Sequence, residues 1–194
     1  MVSYALKAFS FIAIKYPKGN FGLSFYVYPI IFSLVLTSLI IYQQYSLEST
    51  SFEVLFLMSA FDSITTFIQI LPGFYIGSLA AIASFKRKGM DDALPAPTPY
   101  LNIIREGRPD TRKLSRRTYL TLMFSYLASM TLFLAISIFL LKLFYSLGFF
   151  SVSKDWFFSV YSINIFFFFF LFFQVLMITL VGIYYLGNRM HRNI

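Results

Sequence analysis

The sequence predicts an all-α, polytopic membrane protein: four transmembrane helices, both termini in the cytoplasm, and a small cytoplasmic β-hairpin between the second and third spans. Three observations carry that prediction. Of 194 residues, 58% are hydrophobic and only 12% charged, against roughly 45–50% and about 25% in soluble domains. Four runs with at most one charge each are long enough to cross ~30 Å of hydrocarbon at about 1.5 Å rise per residue. Finally, fourteen of the sixteen Lys and Arg residues fall on one side of those runs.

Residues 1–20 form an interfacial segment. Lys7, Lys15 and Lys18 are dispersed through it, and no apolar core precedes a small-residue cleavage site, so it reads as mature sequence and not as a signal peptide. Tyr4, Leu6, Phe9, Phe11 and Ile12 alternate with Ser3, Lys7, Ser10 and Lys15, which suits a short helix in the headgroup plane ended by Pro17 and Gly19.

The spans lie near 21–43, 55–85, 118–141 and 156–186. The first and third carry no charge. The fourth is uncharged from Trp156 to Asn188, longer than a perpendicular crossing needs, and should tilt or run past the interface. Lys7, Lys15 and Lys18 precede the first span, nine cations sit between the second and third, and Arg189 and Arg192 follow the fourth. Only Lys142 and Lys154 lie on the other side, beside Glu48, Glu53 and Asp155. This asymmetry places both termini and the middle loop in the cytoplasm. Tyr42, Tyr45, Tyr145 and Trp156 flank the outer ends of the spans, and Tyr119, Tyr184 and Tyr185 the inner ends, where amphipathic rings prefer to sit.

The loop 86–117 opens with Lys86-Arg87-Lys88-Gly89 and closes with Arg112-Lys113-Leu114-Ser115-Arg116-Arg117. Pro95, Pro97 and Pro99 predict an extended, PPII-like strap. After it, Tyr100 to Arg105 and Arg108 to Leu114 can pair about Glu106-Gly107, where the glycine allows a positive φ. Pro109 lacks a backbone donor and must lie on an edge. The loop carries nine cations against Asp91, Asp92, Glu106 and Asp110. Lys86, Arg87, Lys88, Arg116 and Arg117 suit helix ends and anionic lipid headgroups. Arg105, Arg108, Arg112 and Lys113 lie further from the spans and form a candidate surface for docking a soluble protein. No interleaved aromatic set favours direct nucleic-acid binding.

The second span holds the polar information. Asp62 is the one carboxylate inside a predicted span, about two turns from its outer end, and ought to face protein or water. Thr65, Thr66, Gln69, Gly73, Gly77, Ala80, Ala81 and Ser84 continue its face, while Ile64, Phe67, Ile68, Ile70 and Leu71 form an apolar one. Gly73, Gly77 and Ala81 form a small-residue series that admits a second helix, and Pro72 should kink the span. Two uses of the face compete: helix packing, within the chain or between copies, and the lining of a water-filled path ringed by Asp62. Ser125, Ala128 and Ser129 give the third span another small face, and Asn164 and Gln174 in the fourth each call for an interhelical partner.

Catalytic chemistry finds little support. With zero cysteines and a single histidine, His191, no thiolate nucleophile, disulfide, cysteine-ligated metal or histidine cluster is possible. No nucleophile, nucleotide-binding or metalloprotease motif occurs, so no cofactor or catalytic residue is assigned.

With its four spans, Leu71-Pro72-Gly73-Phe74 and the basic loop that follows, the chain resembles the small four-helix membrane subunits of bacterial antiphage systems, in particular that of Kiwa-type defence. The resemblance implies a homo-oligomeric inner-membrane sensor that recruits a soluble cytoplasmic effector and has no catalysis of its own. The rival reading is a pore-forming effector that depolarises the membrane.

The orientation is open to cysteine labelling, since the chain has no native cysteine. Cysteines at Ser49 and Ser153 should react with an impermeant reagent applied from the periplasm, and those at Thr98 and Asn193 should not. Labelling at Thr98 would invert the topology.

Overall fold

A computed structural model describes residues 7–17, 21–46, 59–84, 89–94, 96, 98–105, 108–147 and 154–186, with backbone alone at 21, 44–46, 59–60, 103–105, 108–109, 145 and 154–158. Four helices dominate: α1 (Phe21–Ser46), α2 (Ser59–Ser84), α3 (Arg116–Ser146) and α4 (Lys154–Tyr184). Each holds a stretch long and apolar enough to cross a membrane: Gly22–Gln43, Phe61–Ser84, Arg116–Phe144 and Ser159–Tyr184. The chain is a multi-pass membrane protein with an all-α membrane domain. A 3-10 helix, Lys7–Ala13, precedes α1, and a hairpin of β1 (Tyr100–Arg105) and β2 (Arg108–Lys113) stands between α2 and α3.

The third helix exceeds its predicted span at both ends. Its 31 residues rise about 46 Å, more than the hydrocarbon thickness, so Lys142 belongs to the helix and not to the loop after it. Several predicted features lie outside the described residues: Tyr4 and Leu6, Lys18 and Gly19, residues 55–58, the Lys86-Arg87-Lys88 cluster, Pro95 and Pro97, the Glu106-Gly107 turn, and Arg189 and Arg192.

The helices partition into two compact units, each drawing on all four. One comprises Met1–Phe25, Pro72–Ser129 and Ile178–Ile194, the other Tyr26–Leu71 and Met130–Met177. Proline interrupts two helices near these limits. Pro29 in α1 and Pro72 in α2 each remove a helical N–H and free the carbonyl one turn earlier.

The first unit is organised around the start of α3. A helix leaves its first four N–H groups without intrahelical acceptors, and here three of them find one. Arg116 N–H donates to the Asp92 carbonyl (3.1 Å) and Arg117 N–H to that of Met90 (2.9 Å). Thr118 N–H donates to Ser115 Oγ (3.2 Å), which makes Ser115 the N-cap. Gly89 turns the chain toward these acceptors at φ +88°, a left-handed conformation that favours glycine. The Arg117 guanidinium reaches back to α2, donating to the Ile82 carbonyl (3.1 Å) and pairing with Asp91 (2.8 Å). It thereby caps carbonyls at the C-terminal end of one helix from the first turn of the next.

Just before this cap, buried Leu114 is held from both sides. Leu94 N–H donates to its carbonyl (3.0 Å), while its own N–H donates to the carbonyl of Pro99 (3.1 Å). Thr98 Oγ1 also donates to the Leu94 carbonyl at 2.9 Å. An extended PPII strap rises about 3.1 Å per residue and would hold Leu94 and Thr98 far apart. The predicted strap is therefore corrected, because its described ends are both tied to Leu114.

The hairpin pairs in the predicted place, antiparallel from Tyr100↔Lys113 to Arg105↔Arg108, with Ile104↔Pro109 among the pairs. In a two-stranded ribbon both strands are edges, so the missing donor of Pro109 is tolerated. Lys15 adds a further bridge to Tyr100, which ties the N-terminal segment to β1. That segment also packs inward. Phe11 stacks on Tyr126 (centroids 5.6 Å apart) and lies 6.1 Å from Phe25, Phe9 meets Tyr126 edge-on, and the Tyr16 and Tyr119 hydroxyls are 3.3 Å apart. In the same unit Tyr75 of α2 hydrogen-bonds Thr179 of α4 at 2.6 Å.

The second unit has an aromatic interior. Buried Phe61 lies 5.0 Å from buried Phe168, and at the surface of the unit exposed Phe32 lies 5.7 Å from Phe173. Ile165, Phe168, Phe169 and Val175 bury one side of α4, while Phe167 is exposed. Lipid is as apolar as these rings, so close packing and interhelical hydrogen bonds hold such a bundle together, not exclusion from water.

Two glycines of the first unit make the packing argument testable. A Cβ at Gly182 would lie 2.7 Å from Met123 Cε, whereas one at Gly77 would meet nothing within 4 Å. Gly182→Ile should destabilise the solubilised monomer by about 1–3 kcal/mol through overpacking and lower its melting temperature. Gly77→Ile should leave that monomer near wild type. Equal losses would contradict the helix contact at Gly182.

Candidate functional site

Asp62 sits in the first turn of α2 as described. One turn before the end of α3, Lys142 Nζ donates to its Oδ1 at 2.8 Å. Both charges suit their helices, an anion near an N-terminus and a cation near a C-terminus. With 60% of the Asp62 side chain exposed and 33% of that of Lys142, the carboxylate turns outward toward its partner. The exposure corrects the expectation that this carboxylate faces into the bundle; its distance from the outer end of the span rests on residues 55–58, which lie outside the described residues. An intramembrane carboxylate is costly unless compensated, and Lys142 supplies the compensation at the helix ends. The pair also removes the isolated charge on which a cation-attracting ring would depend.

The polar face of α2 is likewise turned outward. In the second unit Phe61, Thr65, Ile68 and Leu71 are buried, while Thr66 and Gln69 are exposed. Thr66 satisfies its hydroxyl on the Asp62 carbonyl of its own helix (2.9 Å). Of the predicted apolar face, Ile68 and Leu71 are buried, but Phe67 and Ile70 are exposed. In the first unit Tyr75 and Ile82 face inward, Gly73 and Gly77 are exposed with open space where a side chain would be, and Ala81 is half-buried. Among the described residues nothing stands within 4 Å of a side chain at Gly73 or Gly77, which corrects the intramolecular packing expected at these two positions.

In the hairpin, residues directly opposite share a face and alternate positions change face. The register therefore sorts the four predicted docking residues. Arg105 and Arg108, directly opposite at the tip, and Arg112, opposite Leu101, occupy one face together with Asp110. Lys113 lies on the other with Tyr100, Asn102 and Thr111. Arg112 and Lys113 are exposed. By register this face therefore holds three arginine positions and one carboxylate.

Asn164 donates to the Val160 carbonyl of its own helix at 2.8 Å, which meets one of its amide donors locally. Gln174 is buried. Among the described residues no group of three or more His, Cys, Asp or Glu is placed to hold a metal ion. Sequence reasoning missed Lys142, although an opposite charge at the matching end of a neighbouring span was its signal. It also missed the bridge of Lys15 to Tyr100, for which no local pattern exists.

No family model, curated protein or solved structure matches the chain.

If the Asp62–Lys142 pair helps to set α2 against α3, reversing one charge should lower the melting temperature of the solubilised protein and exchanging both should restore it. An exposed ion pair contributes about 0–1 kcal/mol, while two like charges in its place repel. Asp62→Lys and Lys142→Asp should each destabilise, with recovery in the double variant. No recovery would show that the two side chains act independently.

Proposed function

We propose that this chain is a non-catalytic scaffold or sensor subunit of the bacterial inner membrane. It self-associates through the outward face of α2 and recruits a soluble cytoplasmic protein, as the resemblance to membrane subunits of antiphage defence implies. The observation that carries the reading is the arginine face of the hairpin. Membrane insertion does not require a ribbon at all, and the register of this one brings the Arg105, Arg108 and Arg112 positions to one face with a single carboxylate, Asp110. An acidic protein surface would complement this excess of positive charge and gain steering from it. The ribbon is held by the cap of α3 and by the N-terminal segment, so the face is presented on a fixed support.

Self-association is supported by Gly73 and Gly77, whose open side lets a second helix approach closely. The pore reading keeps one point in its favour, the exposed Thr66 and Gln69, which could line a path between copies. Pairing of Asp62 with Lys142 weakens it.

Arg105→Glu, Arg108→Glu and Arg112→Glu together should release the soluble partner during co-purification from the native host, while expression, insertion and oligomer mass stay unchanged. Undiminished recovery of the partner would remove this face as the docking surface. A cation-selective current from the purified wild-type oligomer in a planar bilayer would favour the pore instead.

A further inference from the structure

We propose that Lys15, Tyr100 and Lys113 form a binding site for the phosphate of an acidic membrane phospholipid, on the face of the hairpin opposite the arginines. This inference does not rest on the docking proposal.

Tyr100 is the centre of a three-stranded row one residue wide. On one side it exchanges both backbone hydrogen bonds with Lys15, N–H of Lys15 to its carbonyl at 2.9 Å and its N–H to the carbonyl of Lys15 at 3.1 Å. On the other it lies directly opposite Lys113. Its N–H and C=O are spent on Lys15, so its pairing with Lys113 is the non-hydrogen-bonded kind, in which side chains stand closer. Antiparallel spacings of roughly 5.5 and 4.5 Å put the two lysine backbones about 10 Å apart, on one face, with a tyrosine between them. Two flexible ammonium groups and a phenol can converge on one phosphate from such a row.

The row is electrically unsatisfied. Both lysines are exposed and Tyr100 is half-buried. Among the described residues the ion pairs are Arg117 with Asp91 and Lys142 with Asp62, and neither lysine takes part. The neighbours that share the face by register are Asn102, Thr111, Ile104 and Pro109, all uncharged, while Asp110 falls on the arginine face. The register thus collects two cations on a face that carries no carboxylate.

A lipid is the source of the phosphate because of where the row stands. Lys113 is three residues before the first residue of α3 and Lys15 six before that of α1. Three extended residues reach about 10 Å, which keeps the Lys113 backbone close to the point where α3 meets the headgroup layer. Ile12, 52% exposed on the 3-10 helix beside buried Phe11, supplies an apolar contact of the kind that interfacial segments insert among acyl chains.

The test is native mass spectrometry of the purified protein in detergent, titrated with phosphatidylglycerol and, separately, with phosphatidylcholine. Lys15→Gln and Lys113→Gln should each weaken phosphatidylglycerol binding about 5-fold and together about 25-fold, with phosphatidylcholine unaffected. Arg112→Gln, on the other face, should leave phosphatidylglycerol binding as in wild type. Melting temperatures of the variants verify that the fold is intact. Equal weakening by Arg112→Gln would show an unspecific charge effect and overturn the site, as would full binding by the double lysine variant. Displacement of the lipid by millimolar inorganic phosphate would reassign the site to a free anion.

Discussion

Four N–H groups at the start of any helix lack intrahelical acceptors. When that helix enters a membrane, those donors must be met before the hydrocarbon begins. At α3 the chain meets three of them, those of Arg116, Arg117 and Thr118, with its own preceding segment. Ser115 caps, and the carbonyls of Met90 and Asp92 take the N–H groups of Arg117 and Arg116. The contacts around the hairpin follow from this fastening. Arg117 is brought within reach of Asp91 and the end of α2, Leu114 is fixed between Leu94 and Pro99, and β2, which ends one residue before Leu114, leaves in a defined direction. A hairpin of two strands is marginal on its own in water. This one borrows its order from the helix cap on one side and from Lys15 on the other.

The ribbon then acts as a sorter of charge. Side chains alternate faces along a strand, so a single basic sequence, Arg108 to Lys113, is divided into an arginine face and a lysine face by parity alone. Arginine, with its planar fork, suits bidentate pairing with carboxylates, whereas lysine acts as a compact charge. The proposed division of labour, protein on one face and lipid on the other, matches that difference in side-chain chemistry.

Inside the membrane the argument changes sign. Apolar burial contributes little when the solvent is itself apolar, so outward Phe67, Ile70 and Phe74 fit a lipid-facing surface. Polar and small residues carry the information instead. A side chain at Gly182 would press on the end of Met123, whereas among the described residues nothing stands beside Gly73 or Gly77. The first is explained by the fold of one chain; the others acquire a purpose only if another helix arrives.

Hydropathy and charge by themselves determined the number of spans, their approximate ends and the existence of the hairpin. Each depends on residues close in sequence: a continuous apolar run, or two short strands about Glu106-Gly107. They also identified Asp62, Gly73 and Gly77 as unusual for their setting, and Arg105, Arg108, Arg112 and Lys113 as a group. Only tertiary structure decided what these residues face. The partner of Asp62 is 80 residues away, that of Tyr100 lies before the first span, and the exposure of Gly77 depends on where the other helices are not. Periodicity reports that a helix has two faces without saying which is inward, because in lipid an apolar face and a small polar face are both admissible outside. That choice is made by packing between helices, and packing is a property of the folded chain.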